Sequence, residues 1–231
     1  MKITELFQDL ISVVLPANCH ICGESLPRGR KYLCSGCVAE LPRASFHGKL
    51  NPIAEALMLI PQGVDGTAFL RYETGNATST LIHDFKYRGF RGLARFLGET
   101  AGEELSRSGF LNGVDMILPV PLHWTKMRRR GYNQAAEIAR GIGERAGIPV
   151  GNHLKAVRSH STQTRKTRSQ RVDNVEGVFG VKNPEELEGR SLLVVDDVFT
   201  TGATLLSAAS ELARTCRGIN IRLFALASAY H

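Results

Sequence analysis

One short segment near the carboxyl end restricts the fold more than any other feature of the sequence. An apolar run at residues 191–195 is followed at once by the carboxylates of Asp196 and Asp197. A loop of hydroxyl-bearing residues around a glycine comes next, and an apolar helical pattern at 204–215 completes the unit. Continuous apolar strands are typical of parallel sheets that are covered on both faces. The segment therefore predicts a strand, a loop and a helix of an α/β sheet.

The rest of the chain alternates in the same way. Periodicity and turn residues predict further strands at 67–72, 116–120 and 219–227, and helices at 53–60, 78–85, 92–106 and 133–146. Strands that alternate with helices favour a mostly parallel sheet with flanking helices. We predict this α/β domain at residues 65–231, a small unit of an N-terminal helix and a cysteine module at 1–45, and a linker at 46–64.

The loop after the two acids can bind a phosphate, because its N–H groups and hydroxyls precede a helix whose dipole favours negative charge. The candidate phosphate ligands are Thr200, Thr201, Gly202, Ala203 and Thr204. The carboxylates of Asp196 and Asp197 repel a phosphate, so we expect them to accept hydrogen bonds from the vicinal hydroxyls of an attached sugar. A P-loop is excluded because no Gly-Lys-Ser/Thr occurs here, and a receiver-type acidic pocket would lack the phosphate loop. The pattern predicts a ribose 5-phosphate site.

Four of the five cysteines form two Cys-x-x-Cys pairs with eleven residues between them. Cys19, Cys22, Cys34 and Cys37 offer the four thiolates that a closed, tetrahedral, structural Zn²⁺ site requires. Two disulfides or a redox pair are the competing interpretations. We favour zinc because nothing marks the chain as secreted and a thioredoxin-like motif would not come doubled. His20, between two of these cysteines, is interpreted as a bystander.

The chain carries 29 basic and 22 acidic residues, a formal net charge of +7. That excess suits an anionic partner, either a phosphorylated metabolite or a nucleic acid, although it also serves solubility alone. Basic residues concentrate at 126–130 and at 155–171, which are either solvated faces or the flanks of a phosphate site.

No segment has the roughly 18 to 20 uninterrupted apolar residues that a membrane-spanning helix needs. Glu5, Gln8, Asp9 and Ser12 interrupt the apolar N-terminus at helical spacing, which favours a short amphipathic helix over a signal peptide. We predict a cytoplasmic protein without membrane insertion.

The thirteen residues 192–204 resemble the phosphoribosyl-diphosphate (PRPP) signature of type I phosphoribosyltransferases. The whole chain resembles the ComF family, in which a zinc ribbon precedes a phosphoribosyltransferase-like domain. The order of motifs carries the second resemblance: the four cysteines, Lys86-Tyr-Arg-Gly89, Pro119-Val-Pro-Leu122, Arg129-Arg-Gly-Tyr-Asn-Gln134, Gln163, Arg171-Val-Asp-Asn174 and the PRPP signature.

The resemblance implies a Mg²⁺-dependent phosphoribosyltransferase that binds PRPP or ribose 5-phosphate, with Asp196 and Asp197 as catalytic residues. It places pyrophosphate or a closing basic loop at Val120, Pro121, Leu122, Arg130, Arg158, Gln163 and Arg171. Members are associated with DNA uptake in natural transformation, which implies other DNA-uptake or recombination proteins as partners. The chain has no glutaminase domain, so glutamine-dependent amination is not expected.

One departure from the nucleobase enzymes leaves two functions open. Several of them have an acid three residues after the Asp pair, where this chain has Thr200. Either the acceptor needs no deprotonation, or the domain binds PRPP without turnover. In the second case the protein is a non-catalytic, single-stranded DNA-binding competence factor that uses the PRPP site for sensing or structure. Trp124, Tyr132 or Tyr87 would then stack on bases.

Overall fold

The centre of the molecule is a four-stranded parallel sheet, in a computed structural model that describes residues 17–44, 46, 49–157 and 177–230. Its strands, in the spatial order β1-β6-β5-β2, are β1 (Gly63–Arg71), β2 (Met116–Pro119), β5 (Ser191–Phe199) and β6 (Asn220–Ser228). A separate antiparallel pair consists of β3 (Leu154–Ala156) and β4 (Phe179–Val181). The predicted parallel α/β fold is confirmed.

Helices cover the two faces of this sheet. They are α1 (Ser35–Ala39), α2 (Pro52–Leu57), α3 (Ala77–Tyr87), α4 (Arg91–Arg107), α5 (Trp124–Arg130), α6 (Gln134–Ala146) and α7 (Ala203–Thr215), with a 3₁₀ turn at Pro184–Glu186. The side chains of Asn51 and Asn76 accept hydrogen bonds from the first free N–H groups of α2 and α3. Such caps fix the points at which the helices begin.

Two apolar layers hold the sheet, one on each face. Leu193 and Val195 of β5 face a layer with α3, α4, α6 and the cysteine module. Leu192 and Val194 face the opposite layer with α2, α7 and the β3–β4 pair. Successive side chains of a strand point to opposite faces, so one apolar run serves both layers. This explains why the run at 191–195 is continuous and does not alternate.

Helices α4 and α6 approach each other through glycines. A Cβ atom at Gly98 would collide with the carbonyl oxygen of Ile138, and one at Gly141 would collide with that of Arg95. Backbone therefore packs on backbone, which fixes α6 closely against α4. The amino end of α6 is thereby held at the end of β2, where the candidate site lies.

The regular elements predicted for the large domain are all present, and their bounds differ by no more than four residues. Helix α5 was not predicted because none of its residues is buried, so its sequence has no apolar period. The pair β3–β4 was missed because each strand has only three residues. The predicted N-terminal amphipathic helix lies outside the described residues.

The predicted linker at 46–64 contains α2, which packs on β1. Ile53 and Leu57 are buried there, and Gly66 of β1 has no room for a Cβ beside Ile53. In the described part of the chain, no helix combines the length and the apolar character needed to cross a bilayer.

Candidate functional site

A cleft of about 760 Å³ opens at the carboxyl ends of β5 and β2. Ligands bind at this edge in open α/β sheets. The structure brings together here most of the residues that the sequence singled out: Val120, Pro121, Leu122, Arg130, Asp196, Asp197, Thr200 and Thr204. Thr201, Gly202 and Ala203 line a small adjoining hollow that shares Asp196, Thr200 and Thr204 with the cleft.

The carboxylate of Asp197 is buried and already bound to cations. Lys86 Nζ lies 2.8 Å from Asp197 Oδ1, and Arg130 Nη1 lies 3.7 Å from Oδ2. Lys86 comes from the last turn of α3, 111 residues before its partner. The sequence expectation that both acids face the sugar hydroxyls therefore needs refinement, because Asp197 also fixes the two cations of the cleft.

Asp196 has different surroundings. Its Oδ1 accepts a hydrogen bond of 2.8 Å from the backbone N–H of Asp197. Burial raises the pKa of Asp196 to about 7, and the negative charge of Asp197 acts in the same direction. The pair therefore divides into one carboxylate that is bound to Lys86 and Arg130 and one that titrates near neutral pH.

The loop after β5 turns at Gly202 into the amino end of α7. Gly202 adopts φ +75° immediately before α7, in the left-handed region that glycine favours. A Cβ at this position would lie 2.6 Å from Cε2 of Phe199, so glycine is required for space as well. Thr200 and Thr201 are exposed, and their hydroxyls stand at the amino end of α7. This arrangement can hold an anion.

The segment 129–134 organises the opposite wall of the cleft. Gly131 ends α5 at φ +76°, and the Tyr132 hydroxyl donates to the carbonyl oxygen of Phe85. Asn133 Nδ2 donates to the Val120 carbonyl oxygen at 2.9 Å, and Gln134 Oε1 accepts from Arg130 Nη1 at 3.0 Å. Within the described residues, Arg130 Nε and Gln134 Nε2 remain buried donors without a partner. An anionic ligand oxygen or an ordered water would satisfy them.

The four cysteines of the two pairs converge as predicted. Their sulfurs all lie within 4.8 Å of one another, and those of Cys22 and Cys34 are 3.9 Å apart. Tetrahedral zinc with Zn–S of about 2.3 Å places sulfurs about 3.8 Å apart. Burial opposes ionisation of the Cys19 thiol, but backbone N–H donors from Cys22, Cys34 and Ile21 outweigh it and lower its pKa to about 6. The cluster fits a zinc ribbon.

Comparisons with known proteins agree with both parts of this description. A family model described as the phosphoribosyl transferase domain matches residues 127–229. Competence protein F of Haemophilus influenzae is 28% identical over 235 residues, 92% of this chain and 97% of that protein. The chain is a homologue of this competence protein over nearly its whole length, in agreement with the ComF resemblance of its sequence.

Two further relatives have related names. The DNA utilization protein YhgH of Salmonella typhimurium is 28% identical over 200 residues, 85% of this chain and 84% of that protein. Competence protein ComFC of Bacillus subtilis is 30% identical over 112 residues, 48% of this chain and 43% of ComFC.

Some residues expected from the ComF resemblance are not placed here. Arg158, Gln163 and Arg171, expected to close over the ligand, lie outside the described residues. The strands that come before and after this stretch do contribute to the cleft, through Ala156 and Phe179.

His20 was interpreted as a bystander of the metal site, and it is not one of the four residues of the cysteine cluster, but it makes a contact that the sequence did not predict. Its Nδ1 lies 2.6 Å from Oδ2 of Asp84, a buried residue of α3 that lines the cleft. The two residues are 64 positions apart in the chain, so no local sequence pattern predicts their contact. Lys86 was noted in the sequence only as part of a motif, and its ion pair with Asp197 is likewise a long-range contact.

Proposed function

We propose that the cleft binds PRPP or ribose 5-phosphate together with Mg²⁺ and that the protein is a phosphoribosyltransferase of unidentified acceptor. The observation that carries this proposal is the meeting of an acid pair, a glycine-containing loop and two cations in one cleft. We also propose a role in DNA uptake during natural transformation, which the names of the competence-protein relatives support. A cytoplasmic location and other DNA-uptake or recombination proteins as partners belong to the same proposal.

The loop residues would bind the 5′-phosphate of the ligand. Backbone N–H groups at 200–204 and the hydroxyls of Thr200, Thr201 and Thr204 can donate to its oxygens, and the dipole of α7 favours the negative charge. Asp196 lies at the end of the same strand and can accept hydrogen bonds from the ribose hydroxyls. Phosphate donors and a hydroxyl acceptor thus stand next to each other, as a ribose phosphate requires.

Pyrophosphate would lie against the wall formed by Val120, Pro121 and Leu122. Arg130, which has an unpartnered buried Nε, and Lys126 line the same cleft. In the transfer, the bond from C1 to the pyrophosphate oxygen breaks and its electron pair leaves with that oxygen. The acceptor forms the new bond to C1 and releases a proton. Cations that neutralise the leaving group lower the barrier.

Mg²⁺, when bound, would neutralise part of the leaving group's charge, and the Asp196 carboxylate together with oxygens of the ligand would hold it. The oxygen-rich ligand and the Asp196 carboxylate are the hard donors that this ion prefers. We also propose Zn²⁺ at Cys19, Cys22, Cys34 and Cys37 as a structural ion, because four protein ligands leave no open position.

Calorimetry with PRPP and Mg²⁺, combined with an assay for released pyrophosphate, tests the main proposal. We expect wild-type protein to bind, and Asp196→Asn with Asp197→Asn to weaken binding about tenfold or more, since each loses a charged hydrogen bond. Asp115→Asn is the matched control, because Asp115 is an exposed acid at the other end of the sheet. Equal affinity of the double variant and wild type would refute the site.

A second candidate function, single-stranded DNA binding, is favoured by one surface feature. Helix α5 exposes Trp124, with the guanidinium of Arg128 5.8 Å from its ring centroid, at the rim of the cleft. An exposed aromatic ring among cations can stack on a base while the cations hold the phosphates. Trp124→Ala should weaken oligonucleotide binding and leave PRPP binding unchanged. If Trp124→Ala binds both oligonucleotides and PRPP as tightly as wild type does, α5 has no role in DNA binding.

A further inference from the structure

A hydrogen bond connects the cysteine module directly to the wall of the cleft. His20, from the first Cys-x-x-Cys pair, meets Asp84 of α3 with Nδ1 and Oδ2 2.6 Å apart. The side chains are 11% and 4% exposed, so water competes little for either partner. An ionised carboxylate only accepts hydrogen bonds, which makes Nδ1–H of His20 the donor.

Packing fixes the orientation of the His20 ring. Phe90, at the start of α4, meets it edge to face with ring centroids 4.5 Å apart. The Tyr32 hydroxyl lies against Gly92 so closely that a Cβ there would collide with it. The module is therefore held against the junction of α3 and α4, and His20 does not depend on Asp84 for its position.

Asp84 belongs to the same last turn of α3 as Lys86. The carbonyl oxygen of Asp84 accepts from the N–H of Arg88, which ends the helix, and Lys86 reaches Asp197 at 2.8 Å. A movement of this turn would therefore change the position of Lys86 relative to the acid pair. In the described structure three contacts hold this turn: His20 at Asp84, the Tyr132 hydroxyl at the carbonyl oxygen of Phe85, and Asp197 at Lys86.

Because Asp84 is a buried acid, its environment depends on the hydrogen bond from His20. The carboxylate is buried beside a cleft that would receive an anion, and the guanidinium of Arg88, 3.2 Å from Asp84 Oδ1, belongs to a side chain that is 64% exposed. Removing one partner of a buried charge leaves that charge poorly compensated. Without His20, Asp84 would draw on the nearest cations or on water, and the turn that carries Lys86 would shift with it.

We propose that His20 is a positioning residue that, through Asp84, holds Lys86 on Asp197 and so sets the affinity of the cleft for its phosphoribosyl ligand. The inference rests on the proposed function, since it names a control on that same site. It gives the cysteine module an indirect role in ligand binding, in addition to its contribution to the core.

Four proteins test the proposal: wild type, His20→Ala, His20→Asn and Arg28→Ala. The Asn amide nitrogen can take the place of Nδ1 and restore the donor. Arg28 is an exposed cation of the same module and serves as the control. PRPP affinity with Mg²⁺, zinc content and acetylation of Lys86 by acetic anhydride are measured on each, with the exposed Lys155 as the internal reference for labelling.

We expect His20→Ala to lower PRPP affinity about three- to tenfold and to speed acetylation of Lys86, while zinc content stays at the wild-type value. His20→Asn should restore most of both properties, and Arg28→Ala should match wild type. A purely structural role of His20 would not be rescued by an amide donor. Unchanged PRPP affinity and unchanged Lys86 labelling in His20→Ala would overturn the proposal.

Failure of the proposed function gives a different result. If wild-type protein does not bind PRPP, the ligand assignment fails, but the labelling of Lys86 still reports whether His20 holds the last turn of α3. Faster labelling in His20→Ala would then support the positioning contact by itself. Unchanged labelling would overturn it.

Discussion

Asp196 and Asp197 are neighbours in the sequence, yet their surroundings differ because successive side chains of a strand point in opposite directions. Asp197 meets Lys86 and Arg130, whereas the nearest hydrogen-bond donor to Asp196 is the backbone N–H of Asp197. Burial and the adjacent charge hold the pKa of Asp196 near 7. The carboxylate of Asp197 is thus paired within the protein, whereas that of the adjacent Asp196 is available to a ligand.

The raised pKa of Asp196 predicts a pH dependence of ligand binding. Below pH 7 the carboxyl group is mostly protonated and accepts hydroxyl hydrogen bonds weakly, so affinity for ribose 5-phosphate should rise between pH 6 and pH 8. Asp196→Asn should bind about tenfold more weakly than wild type at pH 8, with a smaller difference at pH 6. Calorimetry across this range measures both proteins. The variant also corrects for ionisation of the ligand's own phosphate near pH 6.

The raised pKa of Asp196 affects folding stability in the opposite direction: a rise in pH that favours ligand binding lowers the stability of the unliganded protein. An acid whose pKa is raised in the folded state favours folding when protonated, so the stability of the unliganded protein should fall as pH rises from about 4 through 7. Asp196→Asn removes that loss and should unfold at a temperature at least as high as wild type at pH 8. A lower unfolding temperature would contradict the assigned burial of the charge.

At the scale of elements, the junction of β5 and α7 depends on Gly202. Two independent constraints act there, the left-handed backbone and the ring of Phe199. The amino end of α6 is fixed in a comparable way, by glycines that allow close approach to α4. The site is therefore built where elements meet with little free space, which keeps the loops at the ends of β2 and β5 in place.

Gly202→Ala should destabilise the protein and weaken phosphate binding. A left-handed conformation costs a non-glycine residue about 1–2 kcal/mol, and the collision with Phe199 adds to this. Gly113→Ala is the matched control, because Gly113 has φ +73° and open space around its Cβ position. Thermal unfolding should show a larger loss for Gly202→Ala than for Gly113→Ala. Equal losses would mean that the Phe199 contact contributes nothing.

At the scale of the whole molecule, the cysteine module and the sheet share one apolar layer. Cys19, Leu33 and Cys37 are buried in the same cluster as Phe85 of α3 and Leu93 of α4. The module is too small to bury a core of its own, so it relies on the cysteine cluster, where we propose zinc, on one side and on this shared layer on the other.

Removal of the proposed zinc should therefore affect more than the module. Treatment with a strong chelator should lower the unfolding temperature by several degrees and expose the apolar surface of α3 and α4, which a fluorescent apolar dye detects. Adding zinc back should restore both readings. Protein that contains no zinc by elemental analysis after purification without chelator would contradict the assignment.

The net charge of +7 and the exposed Arg128 and Arg129 of α5 predict salt-dependent DNA binding. For single strands, log K falls with log salt by about 0.7 per neutralised phosphate. Arg128→Ala with Arg129→Ala should therefore flatten the slope by about 1.4 for every oligonucleotide. Arg28→Ala with Arg30→Ala changes the net charge equally and should leave the slope as in wild type. The same slope in all three proteins would exclude α5 as the DNA surface.

Local patterns were enough to predict the strand–acid–loop–helix unit, the four-cysteine cluster and the parallel α/β class. Each of these depends on residues close together in the chain: an apolar run long enough for a strand, ligands at fixed spacing, and a glycine where the backbone must turn. The bounds of the strands were less certain, because hydrogen bonding to neighbouring strands extends β5 to Phe199, beyond the apolar run.

The tertiary structure alone decided which residues meet. Lys86 reaches Asp197 across 111 positions and His20 reaches Asp84 across 64, because the strand order β1-β6-β5-β2 brings the ends of distant elements to one edge of the sheet. Helix α5 stayed unpredicted since an exposed basic helix has no apolar period. The sequence thus determined which reactive groups the chain carries. The ion pairs that make the surroundings of Asp196 and Asp197 different depend on long-range packing, which local sequence spacing does not encode.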